Sequence, residues 1–146
     1  MEIHTTGTSG VSAERFFRRL KQAGITSIID TRVHPSSQLA GYAKSDSLKF
    51  FAKELLGVTY IHEPILCPAS TDLKNYRDGI IDWESYSQLY KELLVSRNAH
   101  ESIDFSQWGE KPALLCSEES PENCHRRLAS QFLKSFLPNV TSVVDL

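Results

Sequence analysis

The chain has 146 residues, 40% of them hydrophobic, and a formal net charge of −2. That length can bury one good core and reads as a single α/β domain over residues 1–146, and a charge so near zero excludes a protein that grips polyanions with its whole surface. Three cysteines without a disulfide spacing, no signal peptide and no apolar span of about 20 residues read as a cytoplasmic protein with free thiols and no membrane partner.

Residues 1–6 read as a first strand. The polar turn Gly7-Thr8-Ser9-Gly10 follows, and Ser12 caps a helix whose Phe16, Phe17, Leu20 and Ala23 recur at helical spacing until Gly24 ends it. Ile25-Thr26-Ser27-Ile28-Ile29 is a β-rich strand, with Asp30-Thr31-Arg32-Val33-His34-Pro35 at its carboxyl end. A second helix starts near Ser45 or Asp46 and carries Leu48, Phe51, Ala52, Leu55 and Leu56 on one face before Gly57, and residues 58–62 form the next strand. Residues 63–81 hold two prolines and no persistent period, so they form a long connection, either a lid or binding loop or a plain surface insertion.

Asp82 caps a third helix, in which Tyr86, Leu89, Tyr90, Leu93 and Leu94 make an apolar stripe. Residues 96–111 read as a short irregular or helical piece. Ala113 to Cys116 is a short buried strand, and Ser120-Pro121-Glu122 opens a final helix, with a hydroxyl for the cap and a proline where its missing N–H costs nothing. That helix runs to about Phe136 with Leu128, Phe132, Leu133 and Phe136 inward, Pro138 stops it, and residues 140–144 make a last strand.

Five strands alternating with four helices predict a three-layer Rossmann-like domain with a mostly parallel sheet and right-handed crossovers. Ligands of such sheets bind beyond the carboxyl ends of the strands, and those ends carry Thr8 and Ser9, Asp30 with Arg32, His62 with Glu63, and Cys116 with Glu118. Charges at buried strand ends are costly unless they have partners or a use.

The stretch from Ala113 to Arg127 concentrates the reactive groups. Cys116 and Glu118 leave a strand, and Cys124, His125 and Arg126 fall in the first turns of the expected helix, where free N–H groups and the dipole favour thiolates and anions. Cys124 is the better placed thiol, because Glu118 and Glu119 raise the pKa of Cys116. Arg32 and Arg126, with helix starts near Ser9 and Ser120, suit a phosphate or carboxylate. Asp30, Glu118, Cys124 and His125 are the candidate catalytic groups, and Thr8, Ser9, Arg32, His62, Cys116 and Arg126 the candidate ligand contacts. The competing reading of the same charges is an internal ion pair of Asp30 or Glu118 with Arg32 or Arg126.

A metal site would draw on Cys116, Cys124 and His125 with His62 or Glu118. Adjacent residues on a helix point about 100° apart and no Cys-x-x-Cys spacing is present, so no metal and no cofactor are expected.

The order Thr6-Gly7-x-Ser9, Ile29-Asp30-x-Arg32-x-x-Pro35-x-Ser37, Gly57-Val58-x-Tyr60-x-His62-x-Pro64, Leu114-Leu115-Cys116-x-Glu118 and Cys124-His125-Arg126 resembles the uncharacterised domain of unknown function 488 family over nearly the whole chain. The resemblance implies an α/β fold and a shared site, and it carries no reaction. The chain departs from that family at Thr8, where histidine is usual, at Gln38, where a basic residue is usual, and at Cys67, where glycine is common; altered substrate or lost catalysis would follow from the first two. The Asp30-Thr31-Arg32 segment is similar to that of rhodanese-like sulfurtransferases, but the glycine-rich cradle after the cysteine is missing, as is the Cys-x5-Arg spacing of thiol phosphatases. The expected function is an enzyme acting on a phosphate-bearing or nucleobase-bearing ligand, a nucleotide or nucleic-acid component. The alternatives are a noncatalytic ligand-binding or scaffold protein and a thiol-dependent redox protein.

Overall fold

Apolar runs bounded by caps and glycines set the elements of the computed structural model, which describes residues 1–118 and 122–146. In chain order these are β1 (Glu2–Gly7), α1 (Ala13–Ala23), β2 (Ser27–Asp30), α2 (Ser45–Phe51), β3 (Thr59–His62), α3 (Ser70–Arg77), α4 (Trp83–Ser96), α5 (Ala99–Ser102), β4 (Pro112–Cys116), α6 (His125–Phe136) and β5 (Ser142–Asp145). The Ser12 side chain accepts from the Arg15 N–H to start α1, and Gly24 ends it in the left-handed region at φ 66°.

The five strands form one sheet in the order β3-β2-β4-β1-β5, and every pairing is parallel. The expectation of a mostly parallel sheet thus becomes a wholly parallel one among the described residues. Successive residues of a strand face opposite layers, so Ile28, Ala113 and Leu115 pack against Phe16, Leu20 and Leu48 of α1 and α2. Ile29 and Leu114 meet Tyr90, Leu94 and Leu133 of α4 and α6 on the other side. Two covered faces explain why every residue of β2 and β4 is buried.

The crossovers locate the crevice. The chain leaves β2 for β3 through α2 in one layer, and leaves β4 for β5 through α6 in the other, so the carboxyl ends of these two neighbours diverge and leave a gap. The ends of β1 and β4 instead stay paired, while the connections leaving them run in opposite directions past each other and are tied down. Ser9 N–H donates to the Ser117 carbonyl at 2.7 Å, Arg19 donates to the Gly7 carbonyl, and Arg126 donates to the Glu118 carbonyl.

Several expected elements differ. α6 begins at His125 and not at Ser120-Pro121-Glu122; Cys124 precedes it in an extended conformation (φ −134°, ψ 139°), and residues 119–121 lie outside the described residues. The connection 63–81 contains a 3-10 turn (Pro64–Leu66) and α3, which buries no residue and so leaves no apolar period to read. α2 passes into a π-helical turn over Ala52–Leu56 before Gly57. Tyr86, Tyr90 and Leu94 are the buried stripe of α4, whereas Leu89 is exposed, as is Phe136 of α6. Cys116 and Cys124 are joined as a disulfide, so free thiol character is limited to Cys67.

Gly7 pairs with Cys116, and an added Cβ there would overlap the Glu118 carbonyl and the Arg126 guanidinium. Gly7→Ala is therefore expected to cost about 1–3 kcal/mol of stability through overpacking. The midpoint of urea unfolding measures it, and an unchanged midpoint would mean that the turn after β4 yields freely.

Candidate functional site

The gap between the ends of β2 and β4 is a cleft enclosing about 60 Å³, room for a few waters or one small anionic group. Arg32, Val33 and His34 form the β2 side, Ser117 and Glu118 the β4 side, and Cys116, Cys124 and His125 are set deeper. Leu73, Tyr76 and Arg77 of α3 and Tyr86 of α4 complete the lining, with Gln38 and Asn123. Tyr76 and Tyr86 are stacked with ring centroids 5.0 Å apart and planes inclined by 21°.

Arg32 is 2% exposed and Asp30 fully buried. Arg32 donates from Nε to Asp30 Oδ1 at 2.8 Å and from Nη2 to Oδ2 at 2.7 Å, and its backbone N–H also reaches Oδ1 at 3.1 Å. The Tyr60 hydroxyl donates to Oδ2. Asp30 is thus fully engaged behind the wall and does not line the cleft, whereas Arg32 does. Nη1 of Arg32 has no hydrogen-bond partner among the described residues. The Arg32 carbonyl accepts from His62 Nε2 at 3.0 Å and from the Cys67 thiol at 3.4 Å, which places His62 and Cys67 on the outer side of this wall. Burial pushes the Cys67 thiol up to about 12, so it remains a protonated donor at neutral pH.

His125 is buried, and its Nε2 lies 3.0 Å from the Thr31 carbonyl and 2.9 Å from the Thr31 hydroxyl. The hydroxyl gives its proton to the Leu115 carbonyl at 2.8 Å, and a carbonyl only accepts, so Nε2 carries the hydrogen and Nδ1 keeps its lone pair. Burial first, then Arg77 and Arg126, lower the ring's pKa to about 4, against the Thr31 hydrogen bond and Asp30. The two cysteine sulfurs and a ring nitrogen of His125 all lie within 4.8 Å of one another. Cys116 Sγ also accepts from the Glu118 N–H at 3.3 Å and from Arg126 Nη1 at 3.6 Å.

Arg126 is fully buried and is not among the lining residues; it braces the turn after β4 from beneath, and burial lowers its pKa to about 10, which leaves it charged at neutral pH. Glu118 is half-exposed at the mouth of the cleft, 3.7 Å from Arg77. Thr8 is buried with its carbonyl facing Tyr42 and Val11, Ser9 is exposed beside Ser117, and neither lines the cleft. Ser9 also precedes the α1 cap at Ser12 and sits at no helix start. The structure therefore brings Arg32, Cys116, Glu118, Cys124 and His125 together, with Asp30 one layer behind.

His34, Tyr76, Arg77 and Tyr86 were missing from the sequence-based set. Gln38, a departure from the family pattern, lines the cleft, its Oε1 accepting from the Ser117 hydroxyl at 3.3 Å. A signal for Tyr76 and Arg77 existed in the long connection read as either lid or insertion.

His125 ties stability to pH. Its folded pKa lies below the unfolded value near 6.5, so its contribution is complete above about 6.5 and is lost as pH falls toward about 4. The loss is on the order of 3 kcal/mol over that window. Urea midpoints between pH 7 and 4.5 should fall for the native protein and fall less steeply for His125→Gln; parallel curves would count against a neutral buried ring.

Compared with known families, residues 12–133 match the one described as Domain of unknown function DUF488. No curated protein and no solved structure shows a significant match to the chain. No helix among the described residues is long and apolar enough to cross a membrane. The match runs from the cap of α1 to within the last turn of α6 and takes in Asp30, Arg32, Cys116, Glu118, Cys124 and His125, and on that match the chain belongs to the DUF488 family.

Proposed function

We propose that this DUF488 protein is an enzyme whose cleft binds a phosphate-bearing or nucleobase-bearing ligand, a nucleotide or a nucleic-acid component. Arg32 carries the reading. A buried N–H donor left unpaired costs about 1–3 kcal/mol, and an anionic oxygen entering the cleft beside Arg32 Nη1 recovers that loss. Asp30 acts as a positioning residue, because its bidentate contact fixes the guanidinium plane.

The size of the enclosed space suits one anionic group and leaves the rest of a ligand in the open part of the cleft, beside Tyr76 and Arg77. An aromatic wall suits a planar base. Glu118 is the carboxylate with access to solvent and ligand, so it is the group for proton transfer; His125, with a pKa near 4, is a weak base at neutral pH. One observation favours the second reading of a thiol-dependent redox protein, namely that the Cys116–Cys124 disulfide lines the same cleft.

Isothermal titration with inorganic phosphate and with adenosine monophosphate tests the first reading. The native protein should bind at least one of them saturably. Arg32→Lys keeps the charge and loses the two-pronged geometry, so affinity should fall at least tenfold, about 1.4 kcal/mol. Arg126→Lys should lower the melting temperature and retain affinity, since Arg126 lies behind the lining. Native affinity in Arg32→Lys would end the proposal.

A further inference from the structure

We infer that the reduced protein binds one divalent ion of the zinc type through Cys116 Sγ, Cys124 Sγ and His125 Nδ1, with a fourth coordination position open to the cleft. The inference is independent of the anion reading. Its first support is placement: the donors come from the end of β4 and from the two residues at the start of α6, all three residues are buried, and the two sulfurs and a ring nitrogen of His125 lie within 4.8 Å of one another. Tetrahedral zinc with thiolate and imidazole ligands holds its donors roughly 3.5–3.8 Å apart, so small side-chain rotations close the set.

One reason for expecting no metal, beside the missing Cys-x-x-Cys spacing, is the divergence of neighbouring helical side chains. Cys124 is extended and lies outside α6, so that reason does not apply. Two thiolates and a neutral imidazole cancel the charge of a divalent ion, which suits a buried position, and this soft donor set selects zinc over magnesium or calcium.

The second support is the outer shell. A metal-bound histidine ordinarily donates its other ring N–H to a carbonyl or carboxylate, and His125 Nε2–H is held by the Thr31 carbonyl, which leaves Nδ1 for the ion. Cys116 Sγ receives the Glu118 N–H and the Arg126 guanidinium, donors that stabilise a thiolate far more than a thiol. Cys67 has no part in this cluster, being bonded to the Arg32 and Glu63 carbonyls.

The third support is the separation of the two cysteines. Their Cα atoms are 7.5 Å apart, beyond the span of about 4.4–6.8 Å usual for a disulfide, whereas two bonds of about 2.3 Å to a shared ion bridge a wider gap. Opening the disulfide with a phosphine is a two-electron step. The phosphine takes oxygen from water and becomes phosphine oxide, and the two protons of that water go to the sulfurs. The ion then displaces both protons, while His125, already neutral, releases none. Three protein ligands and one open position is the pattern of zinc sites that bind water or substrate, in contrast to closed structural sites.

Cobalt(II) is the probe. The whole chain, reduced with a water-soluble phosphine under inert gas, is titrated with cobalt(II) and followed by absorbance. One equivalent should produce intense thiolate-to-cobalt charge-transfer bands and visible bands of tetrahedral strength, release two protons, and be displaced by one equivalent of zinc. Cys116→Ser and Cys124→Ser should each lose about half of the charge-transfer intensity. His125→Gln should bind at least tenfold more weakly, and Cys67→Ala should match the native spectrum. Circular dichroism checks that each variant is folded, and the native titration stands without them. Absence of a saturable charge-transfer band in the reduced native protein, or its persistence in the double serine variant, would overturn the inference. Neither result depends on phosphate binding.

Discussion

A carboxylate and a guanidinium removed from water at the carboxyl end of β2 set the constraint around which this site is built. Burying two such charges costs several kcal/mol each, and the attraction between them offsets that cost only when the geometry is good. Here it is: two parallel N–H donations from Arg32 to Asp30, a third from the Arg32 backbone and one from the Tyr60 hydroxyl occupy both carboxylate oxygens. Such a pair contributes little net stability, yet removing either member strands the other at about 3–5 kcal/mol. Its consequence is positional. Asp30 takes the Arg32 N–H and turns the chain along the cleft, while His62 and Cys67 hold the Arg32 carbonyl from the β3 side, so this wall is fixed from β2 and from the end of β3 with the turn that follows it.

The opposite wall is held by a different buried arginine with a different task. Arg126 reaches the Glu118 carbonyl and Cys116 Sγ from beneath, in the space that Gly7 leaves by having no side chain. Arg32 is held by a carboxylate and turned toward the cleft; Arg126 is held by backbone and sulfur and stays behind the lining. The topology assigns the two roles. The connections leaving β2 and β4 part and make room for a ligand, whereas those leaving the paired ends of β1 and β4 pass each other and need a clamp.

The sheet was legible because each strand is a short run of apolar or β-branched residues bounded by glycine, proline or polar caps, and α1 because Ser12 and Gly24 mark its ends. The convergence of Arg32, Cys116 and Glu118 followed from one topological rule about strand ends, whereas Cys124 and His125 were read from their place at the start of the last helix, and Thr8, Ser9 and His62, picked by the same rule, do not line the cleft. α3 was not legible: no residue of it is buried and its first residue follows an alanine without a capping side chain. Tyr76 and Arg77 therefore joined the site only through tertiary packing on α4. Arg126 was misplaced for another reason. It shares an i, i+3, i+4, i+7 stripe with Ala129, Ser130 and Leu133, all buried, so helix phase turns it inward, whereas the expectation of a ligand contact rested on its place among the free N–H groups of the helix start. The thiol pairing escaped because an eight-residue separation matches no spacing that marks a disulfide.

The neighbourhood of the two sulfurs to Arg32 links their chemical state to whatever the cleft holds. As a disulfide they are neutral, and the positive groups that line the cleft are Arg32, tempered by Asp30, and Arg77, 3.7 Å from Glu118. As a pair of thiolates they would place negative charge deep in the same space, where low polarisability strengthens repulsion. Arg126 answers part of one such charge at Cys116, and Cys124, standing at the N-terminal end of α6 without a side-chain cap, meets the positive end of the helix. A bound divalent ion would cancel both. On the proposed readings, the sulfurs carry no net charge in the disulfide, dithiol and metal-bound states alike, so anion affinity falls only to the extent that a thiol of the metal-free reduced state ionises and sets negative charge beside Arg32.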